Sequence, residues 1–244
     1  MATTNYTLGT NVTGVLDDTT GELVVSGTGD MDDDSSPVYN NTDIETVVIE
    51  SGVTNIGDCV FYKNYNLNSV TIPDTVTSIG EYAFSQTSLT SVTIPSSVTT
   101  IKDSAFKYCS LEEIINEYDG NQTLGSSTFG TLSSTGTATT YQSNTNFIDK
   151  IDVGWYDWDI NYFPDEEFSL GTNVVGELYG KDLVIVGSGD ITNFDYNKSP
   201  MHNTDIETVV IESGVTNIGK YTFSACSNLN SIGIANTVTS INYG

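Results

Sequence analysis

An acidic run near the N-terminus is the first group of side chains in this sequence that could do chemistry. Asp30, Asp32, Asp33 and Asp34 lie close enough in sequence to ligate a calcium ion. A calcium loop of the EF-hand type needs glycine at its sixth position and an acid at its twelfth, and counting from Asp30 those positions hold serine and asparagine. We keep the four aspartates as candidate ligands, but we favour a solvated acidic turn and predict no metal site.

A second candidate group is aromatic. Trp155, Tyr156 and Trp158 stand beside Asp157 and Asp159, a composition that can stack a sugar ring. We favour a structural role, because the end of a stack of repeats needs large apolar side chains to cover it. Acids beside aromatic rings also occur in glycosidases, but that chemistry needs a concave cleft with the acids at a set separation, and no such cleft is predicted.

Few other residues have catalytic potential. His202 is the only histidine, and no cysteine or second histidine lies near it in the sequence to complete a metal site. Cys59, Cys109 and Cys226 are odd in number and far apart, which argues against a disulfide framework and favours small buried thiols. We therefore predict no catalytic residue, no cofactor and no enzymatic activity.

The charge of the chain excludes several classes of partner. Its 244 residues include 32 acidic and 7 basic side chains, all of the latter lysine, for a formal net charge of −25. Nucleic-acid binding needs a basic surface, so we exclude it. We also expect no membrane insertion, because no apolar run is long enough to span a bilayer. The start of the sequence lacks a signal peptide, so we expect a processed chain or part of a longer one.

Internal repeats determine how these residues are positioned. Residues 67–73 and 89–95 carry nearly the same motif 22 positions apart. The sixteen residues 42–57 recur unchanged as residues 204–219, which begins a second array. One copy is too small to bury its apolar side chains alone, so successive copies are predicted to stack as the coils of a solenoid.

Each copy predicts the same local structure. Val70-Thr71-Ile72 alternates like a short strand with the threonine outward, and Pro73 ends that strand because proline cannot donate to a ladder. Gly80 allows a tight corner, and Ala83-Phe84 predicts one helical turn whose phenylalanine fills the centre. The fold class is thus a mostly β repeat solenoid of 22–23-residue repeats, each with a short strand and a short helical turn. Backbone groups at the coil corners should be satisfied by the residue three positions after each phenylalanine: Asn64, Thr87, Cys109 and Cys226.

Outward threonines are predicted to form two rows. The rows are Thr71 and Thr93, and Thr54, Thr77 and Thr99. Flat rows of threonine resemble ice-binding faces, but Val48 interrupts the first row and threonine pairs also stabilise sheets. We take these five residues, with the aromatic group 155–158, as the candidate binding surface.

Residues 67–110 follow the pattern L-x-x-V-x-I-P-x-x-V-x-x-I-G-x-x-A-F-x-x-C-x-x-L almost position by position. Residues 42–66 and 204–241 follow it with small departures, such as Cys59-Val60 at the position of Tyr82-Ala83. This pattern resembles the BspA-like leucine-rich repeats. The resemblance implies an extracellular or cell-surface location and adhesion to host matrix proteins such as fibronectin and fibrinogen. It implies no binding residue, because the repeat motif is structural.

Two flanking segments also look like companions of that family. Residues 7–36 recur as 169–199 and look like a small β-hairpin module that caps an array, and residues 126–164 look like a closing cap. The predicted domains, in order, are an N-terminal β cap module (1–41), a first leucine-rich repeat array (42–125), a closing cap and linker (126–168), a second β cap module (169–203) and a second array that stops within a repeat (204–244).

Two functions follow as hypotheses. The first is a non-catalytic extracellular adhesion protein that binds a host or partner-cell surface or matrix protein. The second is a structural spacer or filament subunit, in which copies of the chain join head to tail through the uncapped C-terminal repeat with its exposed strand edges.

Overall fold

The chain forms two compact units, Met1–Tyr162 and Phe163–Gly244, each with its own hydrophobic core. A computed structural model describes residues 2–33, 36–130, 132, 135–140, 147, 164–196, 198–202 and 205–243, together with the backbone of residues 157–162. In these residues the structure is a mostly β solenoid, as predicted. Among them, no helix is long and apolar enough to cross a lipid bilayer.

The first unit begins with an antiparallel hairpin that continues into parallel coils. Its strands are β1 (Thr3–Gly9), β2 (Val12–Asp17), β3 (Glu22–Gly27), β4 (Gly29–Asp30), β5 (Thr46–Ile49), β6 (Val53–Ile56), β7 (Ser69–Thr71), β8 (Ser78–Ile79), β9 (Ser91–Ile94), β10 (Thr100–Ile101), β11 (Glu113–Asn116), β12 (Thr123–Leu124), β13 (Thr135–Thr140) and β14 (Asp157–Tyr162). They form three sheets, in the orders β1-β2-β3-β5-β7, β4-β6-β8-β10-β12 and β9-β11-β13-β14. Strand β3 pairs in parallel with β5, so the hairpin supplies the first strand against which the repeats stack.

The second unit repeats this arrangement over fewer coils. Its strands are β15 (Glu166–Gly171), β16 (Val174–Tyr179), β17 (Asp182–Gly187), β18 (Gly189–Asp190), β19 (Thr208–Ile211), β20 (Val215–Ile218), β21 (Ser231–Ile234) and β22 (Ser240–Ile241). They form two sheets, β15-β16-β17-β19-β21 and β18-β20-β22. The identical segments 42–57 and 204–219 therefore fold into equivalent strand pairs, β5–β6 and β19–β20.

Strands β7 and β9 belong to different sheets, although the coils that carry them are adjacent. In other coils the residue after the strand donates its N–H to a backbone carbonyl of the preceding strand. Glu50 donates to the Val25 carbonyl in this way, and Glu117 donates to the Ile94 carbonyl. Pro73 and Pro95 occupy that position in these two coils and have no N–H to donate. Proline thus ends each of these two strands, as predicted. The ladder of hydrogen bonds stops between β7 and β9, the two strands that a proline follows.

The predicted helical turn at Ala83-Phe84 is wrong. Residues 58–63, 81–86 and 103–108 form a side of the solenoid made of turns, which we call the turn face. Here Cys59 and Lys63 have positive φ angles of 59° and 64°, and Tyr82 and Gln86 have 52° and 61°. Right-handed helix requires negative φ throughout. The N–H groups of alternate residues instead donate to carbonyls of the next coil, for example Phe61 to Ala83 at 2.9 Å.

A column of phenylalanines fills the centre of the first unit. Phe61, Phe84, Phe106 and Phe129 stack with centroid separations of 5.3, 5.3 and 5.6 Å and nearly parallel planes. All four are at most 3% exposed, and buried valines, isoleucines and leucines of the strands surround them. Burying one such ring is worth roughly 1.5–3 kcal/mol, so the column is a principal source of stability. This part of the prediction is confirmed.

At two coil corners, Gly80 and Gly125, glycine allows a close approach of two coils. A Cβ on Gly80 would lie 2.5 Å from the carbonyl carbon of Gly57 in the preceding coil. A Cβ on Gly125 would similarly collide with the backbone of Asp103. The glycines therefore keep successive coils near strand spacing.

Candidate binding surfaces

The second predicted threonine row holds the coils together. Thr77 donates its hydroxyl to the Thr54 carbonyl at 3.1 Å, and Thr99 donates to the Thr77 carbonyl at 3.3 Å. Thr54 itself donates to the carboxylate of Asp30 at 2.6 Å. In the second unit Thr239 and Thr216 repeat these contacts. These hydroxyls already form hydrogen bonds between coils, so a ligand could bind them only by replacing those bonds.

The first predicted row is exposed but is not one continuous surface of paired strands. Thr71 lies on β7 and Thr93 on β9, and both side chains are exposed. Each lies on the terminal strand of its own sheet, because the ladder stops between them. Neither hydroxyl is held in a described hydrogen bond, so both are available to a partner.

The described aspartates of the acidic run make separate contacts. Asp30 accepts from Thr54, and Asp33 accepts from the backbone N–H of Asp58 at 2.7 Å. Asp34 lies outside the described residues. Among the residues that are described, no group of three or more histidine, cysteine or acidic side chains could hold a metal ion.

Asp33 instead begins a column of acceptors at the coil corners. Asp58 accepts from the N–H of Glu81, and Asp103 accepts from the N–H of Ser126, each at 2.7 Å. Asn193 does the same for Lys220 in the second unit. Carboxylates that cap backbone N–H groups in this way stabilise a turn much as an N-cap stabilises a helix.

A lysine two coils away reinforces this column. Lys102 forms a 2.9 Å salt bridge with Asp58. The hydrogen bond to Asp58 raises the pKa of Lys102. The sequence signal for the column, an acid directly after the corner glycine or lysine, was visible but was not recognised as structural.

The predicted role of the corner residues is confirmed. Thr87 donates to the Phe84 carbonyl at 2.9 Å, and the Cys109 thiol donates to the same carbonyl at 3.1 Å. Asn64 accepts from the N–H of Asn41, and Cys226 donates to the Met201 carbonyl at 3.4 Å. None of the three cysteines forms a disulfide. Cys109 is buried, as predicted, and burial raises the pKa of its thiol to about 11, so the thiol stays protonated at neutral pH. Cys59 and Cys226 are only partly buried, which departs from the prediction.

The aromatic candidates cannot be assigned a role. Trp155 and Tyr156 lie outside the described residues. The backbone of Trp158 lies on β14 and pairs with Gly136 on β13. His202, the single histidine, is partly buried, and its Nδ1 lies 3.3 Å from the Ser224 carbonyl.

Sequence analysis missed a cluster of tyrosines and lysines on and beside the turn face. We call it the tyrosine–lysine face and define it as Tyr62, Lys63, Tyr65, Gln86, Lys107 and Tyr108. Gln86 links its members, because its amide donates to the Tyr62 hydroxyl at 3.0 Å and accepts from Tyr65 at 3.4 Å. Tyr65 and Tyr108 are 47% and 52% exposed, which is unusual for such large side chains.

Both lysines of this face lie over tyrosine rings. Lys63 is 5.0 Å from the centroid of Tyr62, and Lys107 is 5.0 Å from that of Tyr108. The nearby Tyr39, followed by Tyr62, raises the pKa of Lys63. The positive φ at Lys63, Gln86 and Tyr108 places these three at equivalent positions of successive coils. Once a helical turn was predicted here, sequence alone could not have grouped them.

A family model described as BspA type Leucine rich repeat region matches residues 35–151 and 195–244, in six copies. No curated protein sequence matches the chain.

Among solved structures, a leucine-rich repeat protein from Eubacterium ventriosum is 25% identical, with a TM-score of 0.46; the match covers 99% of this chain and 62% of that one. A leucine rich cell surface protein from Faecalibacterium prausnitzii is 18% identical, with a TM-score of 0.33 and coverage of 99% and 73%. The pneumococcal vaccine antigen PcpA is 13% identical, with a TM-score of 0.33 and coverage of 96% and 71%. The chain thus spans less than two thirds of the length of the Eubacterium protein.

Proposed function

We propose that this chain, which belongs to the BspA-type leucine-rich repeat family, is a non-catalytic protein of the cell surface that binds host or partner-cell proteins. Solenoids of stacked repeats offer long, continuous surfaces for protein binding. The family match extends over both arrays and supports this class of function. An extracellular location and an adhesive role are part of the proposal.

The observation that carries the proposal is that the tyrosine–lysine face is exposed, whereas other residues make the contacts that hold the coils together. Inter-coil contacts use the interior phenylalanines, the Thr54–Thr77–Thr99 row and the corner acids. Tyr65 and Tyr108, in contrast, are about half exposed, and tyrosine is enriched where proteins bind each other.

Immobilised matrix proteins, including fibronectin and fibrinogen, test this function directly. The purified chain should bind at least one of them, or a protein on intact partner cells, at physiological salt. Surface biotinylation of the producing cells should label the protein. A chain that binds no member of the panel and is not labelled on intact cells would contradict the proposal.

A second candidate function is that of a structural spacer or filament subunit, with copies joined head to tail through the last repeat. The N–H groups of Tyr221, Phe223 and Ala225 occupy the positions that donate to the next coil in the first unit, and none has an acceptor among the described residues. Ile232, Ile234 and Ile241 of the following repeat are 42%, 43% and 65% exposed. Light scattering across a concentration series tests this function, since a monomer at every concentration would exclude it.

A further inference from the structure

The turn face of the first unit carries no carboxylate over most of its length, although the chain as a whole is strongly acidic. Residues 59–73, 82–102 and 104–111 contain no aspartate or glutamate. Acids appear only at its borders, at Asp58, Glu81 and Asp103. Between these borders Lys63 and Lys107 are the charged side chains, so the middle of the face is cationic although the chain as a whole carries a net charge of −25.

Both cations remain able to bind an anion. Lys102 and Lys181 form salt bridges with carboxylates, whereas Lys63 and Lys107 form none among the described residues. Each lies over a tyrosine ring with its side chain only partly buried. A ring face attracts an ammonium group without neutralising it, so the far side of each cation can accept a carboxylate.

We propose that the tyrosine–lysine face is the contact surface for a protein segment that carries carboxylates beside an apolar or aromatic side chain. This inference rests on the proposed protein-binding function and names the chemistry of the partner. The carboxylates pair with Lys63 and Lys107, and the apolar side chain packs on the exposed rings of Tyr65 and Tyr108.

The spacing of the two cations suits an extended peptide. Lys63 and Lys107 lie two coils apart, and at strand spacing two coils measure about 10 Å. An extended chain covers that distance in about three residues. Side chains two or four positions apart lie on the same face of an extended chain, about 7 or 13 Å from each other. Two acids at such a spacing can reach both flexible lysine side chains, and the residues between them lie over the Gln86 coil.

The ring geometry favours a protein over a sugar. A sugar stacks on a free, flat aromatic face, but Lys63 covers a face of Tyr62 and Lys107 one of Tyr108, which leaves Tyr65 as the ring of this face without a lysine over it. Tyr39 and Tyr62 meet edge to face at 63°, which further reduces the free face of Tyr62.

Charge also provides selectivity. The net negative charge of the chain disfavours non-specific contact with an acidic segment. Charges on the rest of the molecule are screened beyond about 8 Å at physiological ionic strength, so the local cations decide binding there.

Charge reversal on this face tests the inference. The probe is a short labelled peptide of glutamate and tyrosine, with a glutamine-for-glutamate version as its control, and binding is followed by fluorescence anisotropy at physiological salt. The Lys63→Glu variant should bind the acidic peptide about tenfold more weakly than the wild type, a loss equivalent to about 1.4 kcal/mol. Lys198→Glu is the matched control: it makes the same change in net charge at an exposed lysine of the second unit, and its affinity should be unchanged.

Several outcomes would overturn the inference: no binding of the acidic peptide, equal binding of the glutamine peptide, or equal loss in both variants. Binding of heparin that depends on Lys63, with no binding of the peptide, would assign the face to an anionic glycan instead. Thermal unfolding of each variant checks that it folds. The matrix-protein panel separates this inference from the function on which it rests: if a panel protein binds the wild type and Lys63→Glu equally, the function stands and the assignment of this face falls.

Discussion

Phe147 meets Phe129 edge to face, with ring centroids 5.5 Å apart and planes at 88°, whereas every ring before it in the column stacks almost parallel to its neighbour. Phe147 is fully buried. A ring that turns its edge to the column presents no further parallel face for stacking. Phe147 therefore ends the run of parallel rings among the residues that the structure describes.

Removing a ring from the middle of that column should lower the stability of the first unit. Phe84→Ala removes a fully buried ring that stacks on both Phe61 and Phe106. We expect the free energy of unfolding of the first unit to fall by about 3–5 kcal/mol, the usual cost for a buried phenylalanine. Urea denaturation followed by circular dichroism measures this, with the exposed Thr93→Ala as control. A loss below about 1 kcal/mol for Phe84→Ala would show that the column is dispensable.

Adding one methyl group at a coil corner should separate two coils. In Gly80→Ala the new Cβ would meet the Gly57 backbone at 2.5 Å, and backbone cannot move aside cheaply. We expect a destabilisation of about 1–3 kcal/mol. Gly233→Ala is the control, since its nearest atom, the Val209 carbonyl oxygen, lies 3.9 Å away. Equal midpoints for Gly80→Ala and the wild type in thermal denaturation would contradict the close approach.

Removing one acceptor of the corner column should destabilise the turn that it caps. Asp58→Ala leaves the N–H of Glu81 without its acceptor and Lys102 without its salt bridge. By analogy with helix N-caps we expect a loss of about 1–2 kcal/mol. Asp58→Asn keeps an acceptor oxygen and should lose less than half as much, since exposed ion pairs contribute little. The prediction fails if the asparagine variant is as unstable as the alanine variant.

The free energy of unfolding should fall at alkaline pH because of Cys109. Burial raises the pKa of this thiol from 9.0 to about 11, so the folded state keeps a proton that the unfolded state loses. Its contribution to stability is present in full below pH 9 and is lost as the pH rises toward 11, at about 1.4 kcal/mol per pH unit. Cys109→Thr, which copies Thr87 of the preceding coil, should remove this slope. Denaturation of both proteins between pH 8.5 and 11 compares them directly, and parallel curves would contradict the assignment.

The sequence predicted those parts of the fold that depend on one coil. Alternation in Val70-Thr71-Ile72 predicted the strand, Pro73 predicted its end, and the repeated phenylalanine predicted the central column. The corner role of Thr87 and Cys109 also followed from their position after the phenylalanine, because a buried polar group near a turn must find a backbone partner.

The parts that depend on two coils were missed. Ala83-Phe84 suits a helical turn by local preference, but the N–H groups of Tyr82 and Phe84 find carbonyls in the next coil, which holds Tyr82 and Gln86 at positive φ. In the sequence Asp58 is one of many acids, and its contacts with Glu81 and Lys102 of later coils are visible only in the structure. The tyrosine–lysine face was missed for the same reason, since its members come from three coils.

The turn face also has an electrical consequence. The N–H groups of Cys59, Phe61 and Lys63 all point toward the next coil, and those of Tyr82, Phe84 and Gln86 toward the one after it. The dipoles of these peptide groups therefore add along the stack, as they do in an α-helix, whereas in ordinary sheets they largely cancel. One end of the turn face presents carbonyl oxygens and the other presents N–H groups, so its two ends differ in polarity.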